Sequence, residues 1–499
     1  MMIGTVPTSV PQFILLGNWL LEADFKRKWT ELRSNKLFWI LSSVFLMHVA
    51  GLLYTSDLAA GIDDVRIKLP LLFLPLVFFT TKPLSRNEFH FLLYCFLLGS
   101  FINITWCYIY SFVLHKNEIA RSASRFMSHI RLGLYLNVAI AACVYFIFVH
   151  AAWSKKIFFI CLMICFLFSM YVLGLASGFA DFFILIFLAV LYLIFKQNLK
   201  FKAILIFVLI TGIYIVGKYV NKVYESQVLV NNSSYNSVKE RSANGRLYSQ
   251  LDLHGQKENG NYVFINIQFD ELHQQWNRRC PEDSFAYKPA YNLKRYEVLL
   301  RYLSGKALTK DSAGVCQLTA EDVNNIKNNI QNHETSTWSY LHKRVYEIVY
   351  EYEEFKNKRN VNGHSLTMRP YFWKAAILNI KSHPLAGVGT GDVQAEMNKT
   401  YIAIHSPLQK NWFKRPHNQF LTIAVALGIG GLLVFILSLV APLIQLNGKL
   451  HVLFYAFFIL AIISFLLEDT LESQAGATFF AFFNTLFIAQ AYYRWKEDK

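Results

Sequence analysis

The chain has 499 residues, of which 54% are hydrophobic, 16% aromatic and only 16% charged. A soluble protein of this length carries more charge because its surface must be solvated, so composition excludes a wholly soluble chain. The net charge of +16 is not a nucleic-acid signature, since most cations lie in short connections between apolar runs, where they orient a membrane protein.

In chain order, the first 22 residues are modestly apolar with Pro7 and Pro11, show no cleavable signal and read as a short interfacial or re-entrant piece. Apolar runs follow at 38–54, 69–80, 89–113, 132–150, 157–175, 181–195 and 203–217, and again at 419–445, 452–467 and 475–492. Ten such runs predict an all-α polytopic membrane protein, because backbone groups in lipid must be satisfied within each segment. Every second connection is basic: Lys26 to Lys36, Lys82 and Arg86, Lys155 and Lys156, Lys196 to Lys202, Lys449, and Arg494 to Lys499. By the positive-inside rule both termini are cytoplasmic. The chain then divides into an N-terminal transmembrane bundle (1–217), an extracytoplasmic domain (218–418) and C-terminal transmembrane helices (419–499).

The insert is too long for a structureless loop. Its first part (221–285) is rich in Asn, Ser and Gly and reads as irregular. Tyr291 to Leu303 and Trp338 to Phe355 have helical spacing, the second with Leu341, Val345, Ile348 and Val349 on one face. Five cysteines lie in apolar runs, while Cys280 and Cys316 fall in the polar insert and are expected to pair if it faces an oxidising compartment. No CxxC or His/Cys cluster argues for a metal, and no cofactor is expected.

Two stretches carry chemistry. In the first, Arg369-Pro370 is followed by Trp373 and then by Pro384 to Asp392 with Gly387, Gly389 and Gly391. Proline is favoured just inside a helix start, which puts Arg369 at a helix N-terminus, where free N–H groups and the dipole favour an anion. A guanidinium there offers a planar fork to phosphate oxygens. The glycines either admit a ligand close to the backbone or simply turn the chain between helices.

In the second stretch, Lys414 and Arg415 stand at the outer boundary against the usual charge bias, His417 follows, and Asn418 opens the next apolar helix. A neutral imidazole there accepts a proton from a hydroxyl while nearby cations hold a leaving phosphate. Those positive neighbours are expected to keep His417 unprotonated. Arg121, Arg125 and Arg131 also lie outside, and either snorkel to lipid phosphates or form a second wall of an anion pocket. Acids are nearly absent from the apolar runs, and Asp181, Glu468, Asp469 and Glu472 fall at predicted outer ends, so no buried proton relay is expected.

His417-Asn418-Gln419-Phe420-Leu421 with Gly428 and Gly431-Leu432 resembles the HNxxL…GxxGL signature of the O-antigen ligase and polymerase superfamily. Arg369, Trp373 and the HPLAGVGTGD stretch resemble the segment found upstream in that family. The resemblance implies a GT-C-like, metal-independent, inverting glycosyltransferase of the bacterial inner membrane. It implies a periplasmic active site and an undecaprenyl-diphosphate-linked glycan as donor. Ligases pass the glycan to lipid A-core; polymerases pass it to another carrier-linked repeat, and protein O-glycosylation is a third acceptor choice. Carried over, His417 activates the acceptor hydroxyl and Arg369 binds the donor diphosphate. Many members have a Ser-Arg pair before the large domain, but here the place reads Ser177-Gly178. Arg131, Arg125 or Arg415 takes that arginine's role, or the donor is held differently. A glycolipid transporter, the non-enzymatic alternative, calls for polar residues deep in the helices and internal repeats, and neither is seen.

Overall fold

A computed structural model describes residues 5–110, 128–196, 199–230, 234–252, 255–283, 293–357 and 361–497. Arg121, Arg125 and Tyr291 lie outside the described residues. The chain forms two compact units, one of Met1–Gln197 with Met368–Lys499 and one of Asn198–Thr367. The boundary falls inside the helix Ser365–Ser382, so residues 368–418 group with the apolar helices.

The protein is an all-α polytopic membrane protein. Among the described residues seven helices are long and apolar enough to cross a bilayer: Lys36–Tyr54, Arg86–Tyr108, His129–Val149, Trp153–Val172, Ala176–Lys196, Phe201–Val228 and Gln419–Gln445. Three further runs of the sequence form helices outside that set, Pro70–Phe78, Val452–Leu467 and Gln474–Glu497. Local chemistry starts these helices where polar caps stand. Ser85 and Glu88 form a reciprocal capping box, and Ser128 and Asn418 each accept a backbone N–H from the first turn. Helix packing uses small residues and an amide. A Cβ added at Gly133 would lie 2.8 Å from Gly178 Cα, and Asn137 Nδ2 donates to both the Gly133 and Gly178 carbonyls, at 3.0 and 2.8 Å. The Ser177-Gly178 place is therefore a close helix crossing, which a larger side chain at Gly178 would force apart.

The second unit is built on a core that includes Trp276, Leu272, Leu299, Tyr302 and Leu303. The segment expected to be irregular contains the helix Phe269–Arg279 and a two-residue hairpin, and the preceding helix runs on to Val228. On the helix Tyr340–Lys356 the predicted apolar face is not the buried one: Val349 is buried but Leu341 and Ile348 are exposed. Tyr346 and Tyr350 turn inward instead. Arg301 lies over the Tyr350 ring at 4.4 Å, donates to Tyr346 Oη at 3.2 Å and pairs with buried Glu258 at 2.8 Å. Burying a charge requires a full set of partners, and this set outranks the aliphatic stripe. The expected Cys280–Cys316 disulfide does not form. Both thiols are free, with Cys280 enclosed in the core and Cys316 exposed at the end of the short helix Ser312–Cys316.

Candidate active site

The helix Gln419–Gln445 begins at a tight corner made by His417 and Asn418. Asn418 has extended backbone and its side chain accepts the Leu421 N–H at 3.0 Å. His417 sits in the left-handed region at φ 49°, uncommon for a residue with a Cβ. Asp469 holds the corner from the next helix connection. Its carboxylate accepts the His417 and Asn418 N–H groups, each at 3.0 Å, and the Thr422 hydroxyl at 2.5 Å. Burial raises the Asp469 carboxyl above its usual range despite these donors.

The His417 ring is half-buried, with its centroid 5.5 Å from that of Phe372, and its Nδ1 lies 3.1 Å from Glu468 Oε2. A carboxylate only accepts, so the hydrogen belongs on Nδ1 and the Nε2 lone pair is left as the basic position. The other Glu468 oxygen faces Arg369, whose Nη2 lies 3.4 Å from Oε1 and donates to the Leu467 carbonyl at 2.9 Å. Arg131, in the first turn of His129–Val149, lies in the field of the same carboxylate. Glu468 thus brings together His417, Arg369 and Arg131.

The charge on His417 is set differently from the expectation. Burial pushes its pKa down, but the Glu468 hydrogen bond and the charges of Glu468 and Asp469 outweigh burial and the opposing Arg369, so the pKa is raised. The two adjacent cations point elsewhere. Lys414 is exposed and offers its carbonyl to the Tyr401 hydroxyl at 2.8 Å. Arg415 pairs with Glu472 and lies 3.5 Å from Asp64. Buried Lys68 completes that cluster, 2.7 Å from Asp64 and 2.8 Å from Glu472. Burial lifts the Asp64 carboxyl to about 7, while Lys68 and Arg415 overcome the burial of Glu472 and hold it well below the usual carboxylate range. A buried charged cluster is therefore present where the apolar runs gave no sign of one, and Arg415 is part of it.

Arg369 is not at a helix N-terminus. The helix starts at Ser365, placing Arg369 in its second turn with Pro370 inside, so the expected free N–H groups are not those beside the guanidinium. Trp373 is exposed, and it is buried Phe372 that packs on His417.

The glycines have a structural task. Gly428 breaks the helix Gln419–Gln445 at φ 65°, ψ −168°. The backbone groups released at the break are taken up by the 384–389 turn. Val388 N–H donates to the Val425 carbonyl and Gly389 N–H to the Ala426 carbonyl, both at 2.9 Å, while Ile429 N–H donates to the Pro384 carbonyl at 2.8 Å. Broken helices in lipid persist when neighbours re-satisfy the backbone in this way. Gly387, at φ 70°, has no room for a Cβ against the Ala426 carbonyl, and Gly389, at φ 103°, has none against Thr55. The close backbone approach is to another part of the chain.

Sequence reasoning placed Glu468, Asp469 and Glu472 at helix ends without assigning them work, and it passed over Phe372, Asp64 and Lys68. The available signals were an acidic pair directly after the apolar run Val452–Leu467, and Asp64 and Lys68 four apart on one helix face. Residues 312–436 match a family model described as O-antigen ligase. The match takes in Arg369, the glycine turn, His417 and the break at Gly428, while Arg131, Glu468 and Asp469 lie outside it. No curated protein matches the chain.

Proposed function

We propose, on the match of residues 312–436 to the O-antigen ligase family model, that the chain is a member of that superfamily and transfers a glycan from an undecaprenyl-diphosphate carrier to a lipid A-core acceptor at the periplasmic face of the bacterial inner membrane. The observation that carries this reading is the placement of Glu468 between Arg369 and His417. It sets a guanidinium suited to a diphosphate beside an imidazole suited to a hydroxyl proton.

In this reading the acceptor hydroxyl gives its proton to His417 Nε2 as its oxygen attacks the anomeric carbon. The bond from that carbon to the diphosphate oxygen breaks, and the electron pair leaves with undecaprenyl diphosphate. Arg369 and Arg131 compensate the charge of the diphosphate, and Glu468 steadies the imidazolium that forms. Direct displacement inverts the anomeric centre. The metal-independent course that the family resemblance implies is retained, with positioning and charge stabilisation as the source of rate. Gly387, Gly389, Asn418 and Trp373 are assigned no contact with substrate.

The test is reconstitution of the purified protein with lipid-linked glycan and lipid A-core. Appearance of core-linked glycan and free carrier diphosphate supports a ligase. Growth of the carrier-linked chain instead identifies a polymerase, and transfer to a periplasmic protein identifies a protein glycosyltransferase. No release of carrier diphosphate with any acceptor overturns the transferase reading.

A further inference from the structure

The helix Val452–Leu467 ends at Glu468 beside His417 and starts from His451, so a second cluster lies at its other end, about 24 Å away at 1.5 Å per residue. The His451 ring lies 4.9 Å from Tyr145 and 5.1 Å from Phe89, while His90 Nε2 lies 3.0 Å from Tyr145 Oη. Beside them Phe146 stacks between Tyr94 and Phe159, with centroids 4.6 and 4.9 Å away, and His150 Nε2 lies 3.0 Å from Tyr94 Oη. A cavity of about 450 Å³ opens among Tyr94, His150, Ser154, Lys155, Phe158 and Phe159.

The fixed charges that act on these imidazoles are of one sign. Arg86 acts on His90 and His150, Lys155 on His150, and Arg494 on His451. Among the described residues no carboxylate is among the charges acting on these three imidazoles. Glu88, two residues after Arg86, is occupied in the Ser85 capping box. Burial, and then the charges of Lys155 and Arg86, hold His150 below its usual pKa. The helix Trp153–Val172 opens against the cavity with Ala152 at its N-cap and no capping side chain, so its first N–H groups and its dipole add to the positive field. Exposed Trp153, with Lys156 Nζ 5.4 Å from its ring centroid, is suited to the depth of lipid headgroups.

We propose that this cavity binds the phosphate of an anionic lipid headgroup, with Lys155 and the uncapped helix start facing the phosphate, Arg86 adding its charge from beyond the lining, and the Tyr94–Phe159 stack beneath the glycerol and acyl chains. Free inorganic phosphate offers the same chemistry, and the experiment separates the two sources. Native mass spectrometry of the full-length protein follows retention of phosphatidylglycerol against phosphatidylcholine, with and without millimolar inorganic phosphate. Phosphatidylglycerol should be retained selectively. Lys155→Gln should weaken it by roughly tenfold, the loss of one charge-assisted contact, and Arg86→Gln, also at an exposed position, by a smaller factor, the loss of a more distant charge. Lys196→Gln, at another exposed helix end, should leave it unchanged. Failure of phosphate to compete supports the lipid headgroup, whereas displacement of the lipid by phosphate transfers the site to a soluble anion and overturns the lipid assignment. Equal retention of the two lipids, or equal losses in Lys196→Gln and the two site variants, overturns the site altogether.

Discussion

Glu468 Oε2 lies 3.1 Å from His417 Nδ1 while Oε1 of the same carboxylate faces Arg369 at 3.4 Å. One acid therefore touches both the residue read as the base and the residue read as the diphosphate ligand. A donor that takes Arg369 must compete with Glu468, and a carboxylate released from Arg369 remains on the imidazole.

His417→Ala should lower transfer by about 10²–10⁴-fold, the usual contribution of a general base. His417→Gln hydrogen-bonds but takes no proton at neutral pH, so it separates positioning from base catalysis. Turnover measured with purified donor and acceptor decides the matter: near-normal activity in the Gln variant would leave His417 as an orienting residue only.

Glu468→Gln keeps the shape but removes the charge that raises the His417 pKa. In the proposed mechanism the base is the neutral ring, so the acid limb of the pH–rate profile should move to lower pH while the plateau falls. Stability responds as well. The imidazolium–carboxylate pair contributes fully below the ordinary histidine pKa and is lost as pH rises through the raised value, so the gap in melting temperature between wild type and variant should narrow at alkaline pH to what the Arg369 pairing contributes. An unshifted acid limb would show that Glu468 does not tune the base.

Arg369→Lys keeps the charge and loses the fork. Donor use should weaken by roughly 1.5–3 kcal/mol, read as a rise in KM for the lipid-linked donor. Wild-type behaviour of the lysine variant would make Arg369 a partner of Glu468 and the Leu467 carbonyl and nothing more.

Gly428→Ala puts a Cβ against the Leu385 carbonyl in a left-handed conformation, and Gly387→Ala does the same against Ala426. Each should lower thermal stability by about 1–3 kcal/mol or more. Gly217→Ala, with no atom within 4 Å of the new Cβ, is the control and should be neutral or stabilising. Thermal shift of the detergent-solubilised variants distinguishes them.

Glu472→Ala leaves Lys68 and Arg415 to share Asp64 as their one remaining carboxylate partner in a buried setting. Loss of up to about 3–5 kcal/mol is expected, seen as poor recovery of folded protein. Glu472→Gln keeps the volume and should recover only part of it, since the amide leaves two cations against one carboxylate.

The helical class was legible because it rests on a local pattern, the apolar run. His417 and Arg369 were singled out by local patterns too, a cationic corner before a helix and an arginine before a proline, and the second put Arg369 at a helix start it does not occupy. The partners of those residues were not legible. Glu468 and Asp469 stand some fifty residues beyond His417 and meet it only because the helices Gln419–Gln445 and Val452–Leu467 run back on each other. For the same reason the charge state of His417 was read from Lys414 and Arg415, its neighbours in sequence, when its neighbours in space are acids. The stripe on Tyr340–Lys356 was misread, and the glycine turn was left between two readings, because spacing shows that a surface is available and says nothing of which surface is taken.

The repair of the broken helix also fixes a geometry. The helix carrying Arg369 ends at Ser382, and the turn that follows is hydrogen-bonded into the Gly428 break of the helix that His417 and Asn418 begin. Arg369 and His417 are therefore mounted on one rigid chassis through backbone bonds as well as through Glu468. On the proposed function their spacing is preset before a donor arrives, and adaptation to glycans of different length would fall to parts of the protein other than this pair.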